Sequence, residues 1–277
     1  MKSSGNRSHT LQGGNCRPFF TCENCDKDYN LLCIRFITFF EMLSGKKAVI
    51  FDLDGTLIDS LGVWNQVDEI LLHELNGPKL TSEEISLFRE TSLTKHHSDN
   101  PYVDFCTELG QLCQSNLSGV EIHRRRYEIS RKLLKTNIHL RPHAEIVLKK
   151  LQALGLRLVI ATTTKKANID IYRSTNPHIS SKINFDETFD FILTREDITH
   201  IKPHPEIFLL ALDRLQLTAR ECLVFEDSLA GVLAARSAQI DTVVMAEKWS
   251  AKDASQLKRL AIGFFQNFDD VLRSLPS

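Results

Sequence analysis

The sequence predicts an α/β protein, a Rossmann-like parallel sheet core flanked by helices, with an inserted α-helical domain. Three observations predict it. Short apolar runs at 48–51, 156–161 and 222–225 each give way to acidic or hydroxyl residues. After Pro142 strand-like and helix-like segments alternate, and strands separated by helices imply right-handed crossovers and a parallel sheet. Between the first run and Pro142, over residues 61–140, apolar residues recur at the three- and four-residue spacing of helices.

Residues 1–45 differ from the rest. They open on Ser, Gly, Asn and His and then carry Cys16, Cys22, Cys25 and Cys33. Cys22-x-x-Cys25 is half of a zinc motif, but the second close pair is missing, so the segment reads as a disordered or non-native extension. Met42, followed by Leu-Ser-Gly-Lys-Lys-Ala-Val, is an alternative initiator. The core is expected over 46–60 and 141–277. In the helical module, Val63, Val67, Ile70, Leu71 and Leu75 line one helix that Asn76-Gly77-Pro78 ends. Thr81-Ser-Glu-Glu84 is a capping box that opens the next, and runs over 103–114 and 120–134 continue the pattern. Beyond Pro142 the expectation is helix 143–154, strand 156–161, helix 165–175, strand 189–193, a helix after Pro205 and strand 222–226. A helix to about 238, strands 242–246 and 261–265 and a helix over 268–274 complete the chain.

A chain of 277 residues can bury this core plus a smaller module. A net charge of −1 gives no reason to expect nucleic acid or an anionic membrane surface as a partner. The apolar stretch 31–40 is too short to span a bilayer and is interrupted by Arg35. Glu23, Asp26, Lys27 and Asp28 break the place where a signal peptide's apolar segment would run. Seven cysteines without regular pairing are expected as free thiols in a reducing cytoplasm.

The chemistry concentrates at the ends of the apolar runs. Ala48-Val-Ile-Phe-Asp52-Leu-Asp54-Gly55-Thr56 closes a strand with two carboxylates one residue apart, then a glycine for the turn and a hydroxyl. The run from Leu156 ends in Thr162-Thr163-Thr164, and Ile201-Lys202-Pro203-His204-Pro205-Glu206 holds a lysine in a proline-stiffened loop. Cys222-Leu-Val-Phe225-Glu226-Asp227-Ser228 ends in two more acids. Ligands of open α/β sheets bind outside the carboxyl ends of the strands, so these ends are expected to meet in one crevice. Acids, a lysine and hydroxyls there suit phosphoryl transfer on a metal.

These four motifs, in this order over residues 46–277, resemble the haloacid dehalogenase-like hydrolase superfamily, in the branch with a helical cap after the first motif. The resemblance implies Asp52 as a nucleophile that forms an aspartyl-phosphate and Asp54 as acid and then base. It implies Thr56 and Thr162, with Thr163 or Thr164 sharing the task, and Lys202 as phosphate-binding groups. It also implies Mg²⁺ held by Asp52, the Asp54 carbonyl and Asp227, with Glu226 as an outer partner or second ligand. Dehalogenases of the superfamily lack the second aspartate, and Thr56 stands where β-phosphoglucomutases commonly have Val. The leading expectation is therefore a cytoplasmic Mg²⁺-dependent phosphatase of a small phosphorylated metabolite. A sugar phosphomutase is the alternative, and a non-catalytic binding protein ranks below both.

Other residues receive quieter roles. Asp59 and Ser60 are expected to cap the first cap helix, and His204, between two prolines, to be a loop residue and not a ligand. His123-Arg124-Arg125-Arg126 is expected on a solvated face, while Arg89, Lys95, His96 and His97 are weak candidates for substrate contact. Cys106 and Cys113 read as core. Ala234-Ala235-Arg236-Ser237-Ala238 runs into Gln239 where relatives have a glycine, which places a costly left-handed turn on a glutamine.

Overall fold

The computed structural model describes residues 38–95 and 100–276. Six strands, β1 (Ala48–Phe51), β2 (Arg157–Ala161), β3 (Phe191–Leu193), β4 (Cys222–Glu226), β5 (Asp241–Met245) and β6 (Gly263–Phe265), form one sheet in the order β3-β2-β1-β4-β5-β6. Every pairing is parallel. The order reverses at β1, so the crevice beside β1 and β4 is the topological switch point where α/β sheets bind ligands.

Alternation along the central strands supplies both faces with core. Val49, Phe51, Leu158, Ile160, Leu223 and Phe225 enter one cluster; Ala48, Ile50, Val159, Ala161, Cys222 and Val224 enter the other. Burial of each large apolar side chain contributes roughly 1.5–3 kcal/mol, and that is what sets the register. Phe51 and Phe225 are register partners whose rings stack at 4.9 Å.

Helices cover both faces. In chain order the core has α1 (Phe39–Met42) and, after the inserted module of α2 (Val63–Glu74), α3 (Ser82–Lys95), α4 (Pro101–Leu112) and α5 (Gly119–Thr136), continues with α6 (Ala144–Ala153) and α7 (Lys166–Ser174). Then come the one-turn helices α8 (Pro177–Ser180) and α9 (Phe185–Thr188), and α10 (Glu206–Leu215), α11 (Leu229–Ser237), α12 (Ala254–Leu260) and α13 (Phe268–Arg273). The two one-turn helices were not legible by periodicity; each is opened by an asparagine, Asn176 or Asn184, whose side chain accepts from the first-turn amides. Packing also begins ahead of the expected boundary at residue 45. Phe39 is fully buried, edge-on to Phe225 at 5.4 Å and to Phe265 at 5.7 Å. Cys16, Cys22, Cys25, Cys33, His96 and His97 lie outside the described residues. No helix among the described residues is long and apolar enough to cross a membrane.

The inserted module has its own apolar cluster, from Val67 and Leu71 through Phe105, Cys106 and Leu109 to Ile122 and Ile129. One expectation fails inside it. Arg126 is not on a solvated face: it donates through Nε and Nη2 to the two oxygens of the fully buried Asp68, at 2.6 and 3.2 Å. Its guanidinium also lies over the rings of Trp64, Tyr102 and Phe105. Arg89, expected toward substrate, donates to Asp68 at 2.5 Å and Asn65 at 2.7 Å, and Lys95 pairs with Glu108. Two arginines on one carboxylate fix how α2, α3 and α5 cross. The linkers into and out of the module run side by side, joined by an antiparallel bridge between Ile58 and Leu140 and by Asp59 N donating to His139 O.

Gln239, after α11, sits at φ +61° with its side chain exposed. The left-handed conformation costs a non-glycine residue about 1–2 kcal/mol, partly offset by glycine's greater entropy when unfolded. Gln239→Gly is therefore expected to stabilise the protein by roughly 0.5–1 kcal/mol, read as a higher urea midpoint with unchanged slope.

Candidate active site

The hydrogen-bond ladder ends together on β1 and β4: Asp52 N donates to Phe225 O at 2.9 Å. Asp52 thereby comes beside Glu226 and Asp227, and carboxylate oxygens of the three lie within 4.8 Å of one another. Gly55 turns the chain at φ +87°, and the turn needs a glycine for a second reason. A Cβ there would lie 2.4 Å from Asp227 Oδ2. Thr56, past the turn, is buried and donates from Oγ1 to Asp227 Oδ1 at 2.9 Å.

Lys202 enters from the loop before α10. Its ammonium donates to Asp52 Oδ1 at 2.5 Å, Glu226 Oε1 at 2.6 Å and Ala161 O at 3.0 Å, the full capacity of three N–H groups. Burial alone would lower its pKa; the charges of Asp52 and Glu226 overturn that and hold it above the ordinary lysine value. The other oxygen of Glu226 accepts from Asp227 N, Ser228 N and Ser228 Oγ at 3.0–3.1 Å. Glu226 is thus committed on both sides, which suits an orienting role more than direct ligation. Oxygen-only donors on three carboxylates, two of them still able to accept, fit a hard divalent cation such as Mg²⁺.

Four carboxylates against one lysine leave the site with surplus negative charge. Burial first, and Glu226 and Asp54 next, push the Asp52 carboxyl up to about 8 against the pull of Lys202. Asp227 is raised for the same reasons, burial and then the charges of Glu226 and Asp52. Asp54 is raised by burial, opposed by hydroxyl donors. Those donors are Ser60 Oγ, at 2.5 Å from Oδ1, and Thr164 Oγ1 on Oδ2.

Most of the expected site residues come together here: Asp52, Asp54, Thr56, Lys202, Glu226 and Asp227 at the centre, with Thr162 buried at the end of β2. Thr163 does not join them. It is exposed, while Thr164 Oγ1 donates to Asp54 and Thr164 N donates to Thr162 Oγ1 at 3.1 Å, so Thr162 and Thr164 are the members of the triplet that face the cluster. Ser60 is not a helix cap: the N-cap of α2 is Gly62, and the Ser60 hydroxyl turns to Asp54. Three contributors were missed. Arg141 donates to Gly55 O at 2.7 Å and Ala246 O at 2.9 Å, pinning the turn that follows the two aspartates to the end of β5. Ser228 caps α11 and holds Glu226. Gly231 makes room for the Glu226 carboxylate, which would meet a Cβ at 1.7 Å. An Ala-Gly pair just after two acids was the available signal for the last.

Gly231→Ala sets two effects against each other. Alanine gains about 1 kcal/mol of helix propensity. The overlap is with a carboxylate fastened at both oxygens, so Glu226 must give up its bonds to Lys202 or to the Ser228 turn. The overlap dominates: a net loss of roughly 1–3 kcal/mol and an activity loss of at least about 10-fold are expected, measured by urea unfolding and turnover.

The profile of the haloacid dehalogenase-like hydrolase family matches residues 49–245. The chain belongs to that family. Its sequence is 28% identical over 215 residues to the CbbY protein of Rhodobacter capsulatus, covering 75% of this chain and 88% of that one. It is 27% identical over 198 residues to the phosphorylated carbohydrates phosphatase of Thermotoga maritima, covering 71% and 83%. The fold is shared with the crystal structure of CbbY from Rhodobacter sphaeroides in complex with phosphate, at a TM-score of 0.59, 23% identity and coverage of 83% and 99%.

Proposed function

We propose that this chain is a Mg²⁺-dependent phosphatase acting on a small phosphorylated metabolite through an aspartyl-phosphate. The observation that carries the reading is Lys202 bridging Asp52 and Glu226 at the switch point of the sheet. It joins two buried carboxylates through one fixed cation, which supports Asp52 as the nucleophile and Glu226 as an orienting acid. The family and a relative named for phosphorylated carbohydrates support a phosphoric monoester hydrolase.

Asp52 attacks phosphorus in line, a P–O bond forms, and the bond to the leaving ester oxygen breaks. Asp54, whose carboxyl burial keeps protonated to higher pH, gives its proton to that oxygen. To reach it, Asp54 must let go of Ser60 or Thr164. It then takes a proton from the water that attacks the aspartyl-phosphate, so phosphate leaves and Asp52 is restored. Thr56, Thr162 and Lys202 would hold the phosphoryl oxygens, Lys202 by giving up one of its three present acceptors and Thr56 its bond to Asp227. Asp52, the Asp54 carbonyl and Asp227 would hold Mg²⁺, with Glu226 behind them, and the ion would supply positive charge against the phosphoryl group.

The test is phosphate release from a panel of sugar phosphates and other small phosphomonoesters, with and without Mg²⁺. Release that needs Mg²⁺ is the expected result. Conversion of a hexose 1-phosphate to its 6-phosphate without release would move the assignment to a phosphomutase. Absence of both reactions across the panel would count against catalysis by this site.

A further inference from the structure

We propose that His200, His204 and Glu206 form a second metal site, on the exposed side of the Lys202 loop, for Zn²⁺ or a similar imidazole-seeking ion. Nothing in the phosphatase reading requires it. The donor atoms of the three residues lie within 4.8 Å of one another. Glu206 Oε2 is 2.8 Å from His200 Nδ1 and 3.9 Å from His204 Nδ1. Bonds of about 2.0–2.1 Å to a tetrahedral ion place its donors roughly 3.3 Å apart, which these two distances bracket. Small rotations of two solvent-exposed rings would close the set.

The carboxylate is already organised for the purpose. Thr199 N donates to Oε1 at 2.7 Å and His200 N to Oε2 at 2.8 Å. These amides, with His200, lower the Glu206 carboxyl to about 2, so it is ionised at any working pH. The two rings lie 4.6 Å apart, and the chain between them turns through a bond from His204 N to Ile201 O at 3.0 Å. His204 Nδ1 accepts weakly from Glu206 N at 3.3 Å, a long bond that the exposed ring would give up on turning to the ion. On binding, the ion takes the place of the proton between His200 Nδ1 and Glu206, and that proton goes to solvent.

Two imidazoles and one carboxylate select Zn²⁺, Co²⁺ or Ni²⁺ over Mg²⁺, whereas the buried centre offers oxygen alone. The two sites therefore sort ions by ligand chemistry. Three protein ligands also leave an open position on the ion. The bound ion would join residues on either side of Lys202, whose side chain passes inward to Asp52.

The experiment is a Co²⁺ titration of the full chain in saturating Mg²⁺, followed by visible absorption, with Zn²⁺ competed against a chromophoric chelator. The comparison protein is His200→Gln with His204→Gln; both rings are exposed, and equal thermal midpoints without Co²⁺ or Zn²⁺ would verify the fold. One histidine-dependent equivalent per chain is expected, weakened at least about 10-fold in the double variant. Identical spectra and stoichiometry in the two proteins, or no histidine-dependent binding up to about 1 mM, would overturn the proposal.

Discussion

Asp52→Asn is expected to lower kcat/KM by at least about 10⁴-fold, since the proposed mechanism makes Asp52 the group that attacks phosphorus. The fold should survive. The asparagine oxygen can still accept from Lys202, which keeps Glu226 and Ala161 O as its other partners. Stability of the metal-free protein should even rise near neutral pH. Burial pushes Asp52 up to about 8 from an ordinary 3.8, so the folded state binds a proton that the unfolded chain has lost. For a raised carboxyl the stabilisation is complete below about pH 4 and drains away as pH climbs through about 8. The wild type should therefore lose thermal stability over that window, the asparagine variant should lose less, and Mg²⁺ should erase the difference. Melting curves at pH 5 and pH 8, with and without Mg²⁺, read all three; parallel pH profiles for the two metal-free proteins would refute the account.

The strand ends carried most of what could be read in advance. An apolar run must stop where it meets carboxylates, so Asp52, Glu226 and Asp227 marked the carboxyl edge of the sheet, and parallel topology then forced them together. Lys202 was marked by the prolines around it. Residues whose partners are distant in sequence were misread instead. Arg126 sits in a run of four basic residues, which by local composition belongs in water. One of three successive arginines on a helix nevertheless falls on the inner face, and here Asp68, fifty-eight residues away, meets it. Ser60 misled for a different reason, since its partner is only six residues back but a distant segment sets the path of the chain between them. A serine ahead of a helix is a cap by local rule, but the paired linkers through Ile58 and Leu140 bring it to Asp54. Arg141 gave no signal, because its acceptors are backbone carbonyls of Gly55 and Ala246 that no side-chain pattern reveals.

Lys202→Met should produce the largest loss of stability in the site, and one that depends on pH. Removing one partner of a buried ion pair costs about 3–5 kcal/mol, because the charge left behind stays buried without compensation. Lys202 faces two such partners, Asp52 and Glu226, each nearly sealed from solvent. Its charge is also the chief influence holding the Asp52 carboxyl down, so its removal raises that carboxyl further. Asp52 of the wild type keeps its proton in the fold up to about pH 8 and the variant keeps it longer, so the two proteins should run parallel below about pH 7 and the gap between them should widen from pH 7 to pH 9. Urea unfolding of the metal-free proteins at the two pH values measures it, and a gap that does not change with pH would contradict the charge argument. Lys202→Arg separates charge from shape. It keeps the positive charge, but a planar fork cannot set one nitrogen against Asp52, Glu226 and Ala161 O together. Part of the stability should return while turnover stays lost, since the proposed reaction would need the cation at the point where Asp52 and the phosphoryl oxygens meet.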